Sequence, residues 1–344
     1  MRIQQTHIGR NISNATSALH SRSRISAALV TVILQFPAFF SCHIPYNDDN
    51  TAPGLSLKLN CRASAPEALN LFFFHDRAPM RLDSYQQISL PEQTSRIYGL
   101  SGSGGHLLQA ISSKAGDTGQ WAGIQYYGNL QTTLFSLADE DPSRPKLVGS
   151  TTLEAGRSRT GELDLSPVLC AVRIRSVACD FSERPYSGSS LSVSRLFLLH
   201  AGVEIRPLEP GCRPVSWINS GSLETEAVNR LPRPWMLLLE NLGDVTERRI
   251  SPGWTLYCYP NPSSGDVPGS PPTRLVIEAT LLGHTCYYPI SLPPMEMGTL
   301  CEMDITIRRM GTSDPDLPAV SGSVTLSHAI LPWKEAEPQT VPFL

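Results

Sequence analysis

The sequence predicts an all-β protein of two β-sandwich domains behind an N-terminal export signal. Three observations carry that expectation. Apolar residues alternate with a period of two through many short segments. Turn formers interrupt these segments throughout, with 29 prolines and 25 glycines in 344 residues. A largely apolar run, Ile25–Cys42, precedes the strand-rich part of the chain.

That run sets the reading of residues 1–41. Arg22 and Arg24 form a positive flank, and no acid occurs before Asp48. The run is signal-peptide length, and Gln35 and Pro37 interrupt it, which argues against a permanent spanning helix. Ser41 supplies the small residue before Cys42, so the expectation is a lipoprotein signal peptide with lipid attached to Cys42. The alternative is an ordinary signal peptide beside an unrelated cysteine. Residues 1–20 are long and polar for a signal n-region, which points to a translation start downstream of Met1. Residues 42–54 are polar and turn-rich and read as a tether.

The strand pattern starts at Leu55. Leu55, Leu57, Leu59 and Cys61 alternate with Ser56, Lys58 and Asn60. The same alternation runs through Val168–Arg175, Leu275–Leu281 and Cys301–Ile307. One apolar and one polar face is what a half-buried antiparallel sheet requires. Leu281-Leu282-Gly283-His284-Thr285 places a turn between two strands, so Arg274–Thr285 into Tyr287–Ile290 is expected to form a hairpin. Leu71–Phe74 and Met236–Leu239 are continuous apolar runs, which suit strands covered on both faces. Short helices are expected over Ser103–Lys114 and Ser222–Leu231. A Pro- and Gly-containing break at Asp141–Gly161 separates a domain at 55–157 from one at 158–344.

Composition excludes several functions. Loss of residues 1–41, which hold four arginines and no acid, takes the formal charge from −3 to −7. No basic stripe remains for nucleic acid. The eight cysteines include no C-x-x-C pair, and no histidine sits at ligand spacing from them, so no metal centre is expected. Cys61, Cys170, Cys258, Cys286 and Cys301 fall inside apolar strands and read as small buried residues. His75-Asp76 reads as a turn after a strand, and Glu302 with Asp304 as a carboxylate pair on a solvent face. Gly99–Gly105 lacks the G-K-[ST] ending of a phosphate loop. The five tryptophans read as core anchors. No catalytic constellation is present, and a non-enzymatic protein without cofactor, apart from the lipid on Cys42, is expected.

Several segments in order resemble Bacteroidales fimbrillin-like lipoproteins. These are Leu71–Asp76 followed by Leu82–Tyr85, Pro167–Ile174, the hairpin Thr273–Pro289, Asp304–Asp316, and Val324–Leu326 through Pro332-Trp333. The pattern departs at Met297-Gly298-Thr299, where an Arg-Asn pair is expected, and at Phe39 in the lipobox. The resemblance implies two tandem transthyretin-like β-sandwiches and a role as stalk, anchor or tip subunit of a type V pilus. It implies an outer-membrane or cell-surface location, other fimbrial subunits as partners, and a host or bacterial surface ligand. It also implies that an arginine-specific protease removes the first strand from polymerising subunits, and that a strand of the next subunit fills the groove. The matching position here is Arg62–Ala63, directly after Leu55–Cys61. Pro332, Pro338 and Pro342 make the C-terminus a poor donor strand, which favours an anchor or accessory/tip role over the stalk. The runner-up is a surface glycan-binding lipoprotein of β-sandwich domains.

Replacing Cys42 by alanine is expected to release the protein from the membrane fraction. Unchanged retention in a fractionation experiment would remove lipidation from the argument.

Overall fold

A computed structural model describes residues 55–89, 94–97, 100, 104–154, 160–265, 269–317 and 322–333. The expected signal peptide, Cys42, the tether, the domain boundary at residue 157 and the last eleven residues lie outside that set. The described residues fall within one contact unit. No helix among them is long and apolar enough to cross a membrane.

The structure is nearly all β, with its sheets forming sandwich-like domains. The first eight strands are β1 (Leu55–Cys61), β2 (Ala68–His75), β3 (Leu82–Ser89), β4 (Thr94–Ile97), β5 (His106–Ser113), β6 (Phe135–Ser136), β7 (Leu147–Leu153) and β8 (Thr160–Pro167). A short helix α1 (Tyr127–Gln131) precedes β6. All of these strands except β6 form one sheet, in the order β3-β2-β5-β7-β8-β1-β4. β8 starts beyond residue 157 yet pairs with β7 and β1, so membership of this sheet extends to Pro167.

Ten strands follow. They are β9 (Cys170–Cys179), β10 (Leu191–Leu199), β11 (Ala201–Ile205), β12 (Pro214–Ile218), β13 (Leu238–Val245), β14 (Thr255–Cys258), β15 (Arg274–Leu281), β16 (His284–Ser291), β17 (Thr299–Ile307) and β18 (Val324–Pro332). They give two four-stranded sheets, β13-β10-β15-β16 and β14-β9-β17-β18. The sheets meet across a shared core, where Cys179 Sγ on β9 lies 3.5 Å from the Val245 carbonyl on β13. β11 and β12 pair with β6 in a third, small sheet.

Local sequence explains most of these elements. β17 alternates as expected, with Cys301, Met303, Ile305 and Ile307 buried and the intervening residues partly exposed. β15 and β16 pair in register from Arg274↔Ser291 to Leu281↔His284. Leu282 and Gly283 both take positive φ, 52° and 81°, the left-handed pair that a tight hairpin requires. Gly283 tolerates this conformation without cost, and the strongly exposed Leu282 is held in it by the hairpin.

β2 is buried along its length except at His75, which only tertiary cover explains. Phe72 packs on Tyr85 at 5.1 Å and edge-on against Trp121 at 5.3 Å, and Phe74 meets Tyr127 of α1 at 5.4 Å. The connection between β5 and β6 therefore roofs one face of the strand, so the run needs no polar positions.

Two helical expectations are revised. His106–Ser113, within the helix expected at Ser103–Lys114, is strand β5 between β2 and β7. Its alternation is hidden because both faces are covered. The second helix forms only over Thr225–Asn229 (α2), and its N-cap is Glu224 rather than Ser222. Within Met236–Leu239, the strand begins at Leu238 after a 3₁₀ turn at Pro234–Met236.

A buried carboxylate ties the segment after β6 to the later strands. Glu140 is fully buried. It accepts from the Tyr259 hydroxyl at 3.0 Å and the Lys146 N–H at 3.1 Å, while Arg233 donates to its carbonyl at 2.9 Å. Burial pushes its carboxyl above the usual range, against the pull of Lys146 and these donors. Removing one donor from a buried acceptor is costly. Tyr259→Phe is therefore expected to cost about 1.5–3 kcal/mol, read as a lower urea midpoint with an unchanged slope.

Candidate functional site

The candidate site is the first strand and the arginine that follows it. β1 runs parallel to β8 from Ser56↔Thr160 to Cys61↔Leu165, and antiparallel to β4 from Leu55↔Ile97 to Lys58↔Thr94. It is the strand next to the sheet edge, covered on its outer side by the four residues of β4.

Its two faces match the alternation in the sequence. Leu57 and Leu59 are buried, opposite Gly161 and Leu163 of β8. A Cβ on Gly161 would come within 2.8 Å of Leu153 and 3.4 Å of Leu57, so glycine leaves the room that Leu153 of β7 fills beside Leu57. On the polar face, Lys58 reaches Glu162 at 3.0 Å and Asn60 donates to Asp164 at 2.9 Å, each pair directly opposite in register. Burial of the two leucines contributes about 1.5–3 kcal/mol each, and the exposed ion pair about 0–1 kcal/mol. The apolar face therefore holds the strand in place.

Arg62 is exposed, and its N–H donates to the Leu165 carbonyl at 3.0 Å. Ala63 is nearly buried. The arginine side chain is thus accessible, while its own backbone N–H, on the peptide bond before it, is tied to β8 and Ala63 after it is buried. Cys61, expected in the core, is exposed as the last residue of β1. The other six described cysteines are free thiols, and Cys170, Cys258, Cys286 and Cys301 are buried as expected.

Among the described residues, the later strands also present a sheet edge. β18 pairs with β17 along nine residues and is the edge of its sheet. Ile330 and Leu331 on it are exposed. Trp333, just after, is buried against Tyr257 at 5.8 Å and closes the strand onto the core.

The remaining sequence candidates resolve as follows. Glu302 and Asp304 share a face of β17 with arginines of β9. Arg173 lies 3.3 Å from Glu302, and Arg175 and Ser176 bond Asp304. The Arg175 hydrogen bond, reinforced by Ser176, holds the Asp304 carboxyl down at about 2. That is opposite to the raised value a general acid requires. Arg249 joins the same face, donating to Ser176 at 2.8 Å and Thr306 at 2.9 Å. Trp121 and Trp333 are core residues, Trp217 and Trp254 are half-buried, and Trp235 is exposed with its edge toward Tyr257. His75 ends β2, and the Asp76 N–H bonds the Gly105 carbonyl at 3.1 Å, the turn expected there. One convergence was not legible in the sequence. His75, Asp83 and His106 bring one ligand atom each to within 4.8 Å of one another. Thirty-one positions separate the two histidines in the chain, so no spacing motif reports it.

This fold recurs in solved structures of fimbrial and adhesion proteins. A "putative cell adhesion protein" of Bacteroides eggerthii matches over 82% of this chain and 96% of its own, with a TM-score of 0.59 at 17% identity. The fimbrilin FimA of Porphyromonas gingivalis matches over 82% of this chain and 98% of its own, with a TM-score of 0.59 at 10% identity. The tip fimbrial protein Mfa3 of the same organism, truncated at its C-terminus, matches over 82% and 100%, with a TM-score of 0.50 at 11% identity. No protein-family model matches the chain, and no curated protein matches it in sequence. The likeness is one of fold.

The Asp304 contacts carry a pH signature. Its folded value lies below the ordinary 3.8, so the stability it contributes is present above about pH 4 and is lost as pH falls through about 2. Asp304→Asn is expected to flatten the acid limb of a stability–pH curve in that window, measured by urea unfolding at stepped pH.

Proposed function

We propose that this chain is a non-enzymatic structural subunit of a cell-surface fimbria, joined to other subunits by β-strand addition and acting in adhesion. The observation that carries the reading is the seat of β1. It is an amphipathic strand, continuous with the N-terminal segment and held by two buried leucines between β8 and β4. Its withdrawal would leave the facing edges of β8 and β4 unpaired over an apolar groove lined by Leu163 and Leu165. Such a groove is a template for a strand from another chain. The fold shared with FimA and Mfa3 supports the same reading.

Within that reading we assign an anchor or accessory/tip role. Lipid on Cys42 would hold the subunit to the outer membrane for as long as β1 stays attached. Cleavage after Arg62 would release lipid and strand together. The fastening of Arg62 to Leu165 and the burial of Ala63 favour retention. Partners are then other fimbrial subunits on one side and a host or bacterial surface ligand on the other.

N-terminal sequencing of the protein isolated from assembled fimbriae tests the role. A blocked, lipidated start at Cys42 is expected for an anchor. A start at Ala63 would reassign the chain to the polymerising subunits, and its absence from purified fimbriae would overturn the proposal.

A further inference from the structure

The geometry points to a divalent transition-metal site, with zinc as the favoured ion, formed by His75, Asp83 and His106 where β2, β3 and β5 end side by side. His75 and His106 are direct partners across the β2–β5 ladder, so their side chains leave the same face of the sheet. Their rings lie 5.5 Å apart. Asp83 reaches them through a β-bulge. Phe73 pairs with Ser84 and Phe74 with Leu82, which leaves Asp83 as the extra residue of β3. In unbroken alternation Asp83 would share the face of Tyr85, which packs on Phe72, opposite to the histidines. The bulge turns it to their side, the re-aiming of a side chain for which bulges are used.

Both imidazoles present Nε2 to this one carboxylate. His106 Nε2 lies 2.9 Å from Asp83 Oδ2, and His75 Nε2 lies 3.6 Å from Oδ1. Zinc holds nitrogen and carboxylate oxygen at about 2.0–2.2 Å, which sets neighbouring ligand atoms of a tetrahedron about 3.3–3.5 Å apart. The two spacings to the carboxylate oxygens lie on either side of that value, and all three ligand atoms fall within 4.8 Å of one another, so the ion is seated by side-chain rotation without a change of backbone. Two imidazoles and one carboxylate suit zinc better than magnesium or calcium, which prefer all-oxygen shells. Exposure is graded across the three side chains, at 5% for His106, 13% for Asp83 and 37% for His75. The ion would enter past His75, with water as its fourth ligand. Ligation uses the His106 tautomer protonated at Nδ1: a proton on Nε2 goes to solvent while Nδ1 keeps or takes up one, and the Nε2 lone pair goes to the metal. Three adjacent strands would then be clipped together at one end of the sheet.

The test is zinc titration of the purified, chelator-stripped chain by calorimetry, with thermal unfolding followed in parallel. One saturable equivalent and a raised melting temperature are expected. His75→Ala, which leaves the His106–Asp83 bond in place, and His106→Gln should each weaken binding by at least about tenfold with the circular dichroism spectrum unchanged. Cobalt substitution should give visible absorption of a tetrahedral site that is lost in Asp83→Asn. Absence of saturable zinc binding, or undiminished binding by both histidine variants, would overturn the assignment and leave the three residues a hydrogen-bonded cluster.

Discussion

Burial of one leucine face of β1 is the constraint on which the rest of the N-terminal sheet depends. Leu57 and Leu59 fix the register of β1 on β8, and a slip by one residue would send both into solvent. Gly161 is small where Leu153 packs beside Leu57, and Glu162 and Asp164 sit where Lys58 and Asn60 need partners. β8 in turn pairs with β7, and β7 with β5, so the position of β1 is relayed across the sheet. β4 is too short to replace β1, with only four residues to pair.

The same constraint explains why one strand can serve two purposes. Parallel pairing to β8 brings no hairpin of its own, so β1 is joined to the fold through Arg62 on one side and to the N-terminal segment on the other. A strand attached in this way is bound by side-chain burial and backbone hydrogen bonds rather than by topology. Its removal needs no rethreading of the remaining chain. Glu140 works in the opposite sense. Through Tyr259 and Arg233 it holds the segment after β6 to later parts of the chain, and loss of the Tyr259 hydroxyl would leave a buried carboxylate oxygen unpaired.

Period-two alternation made β1, β9, β15 and β17 legible from residue types, because apolar and polar side chains alternate along each, even where tertiary cover buries the polar positions of β9 and β15 too. It misread β5, whose residues are buried almost throughout and so carry no period. The continuous run in β2 was legible as a doubly covered strand, but not what covers it, since Trp121 and Tyr127 come from a loop about fifty residues away. Cys61 continues the alternation of β1 in sequence and is exposed in the fold, because a strand end can leave the core while its pattern persists. Arg62 could be placed from the sequence directly after the first strand; the tie of its N–H to Leu165 could not.

By itself the sequence determined the β class, a hairpin turn within Leu281–Thr285, and the amphipathic first strand with an arginine behind it. These depend on local rules, in which side-chain period and backbone preference act between neighbours in the chain. The tertiary structure decided the parallel seat of β1 beside β8, the ion pairs that quiet Glu302 and Asp304, and the meeting of His75, Asp83 and His106. Each of these joins strands distant in sequence, and in the last a single bulged residue decides which face a carboxylate occupies. No pattern along the chain records such a choice, because pairing and register are set by the sheet as a whole.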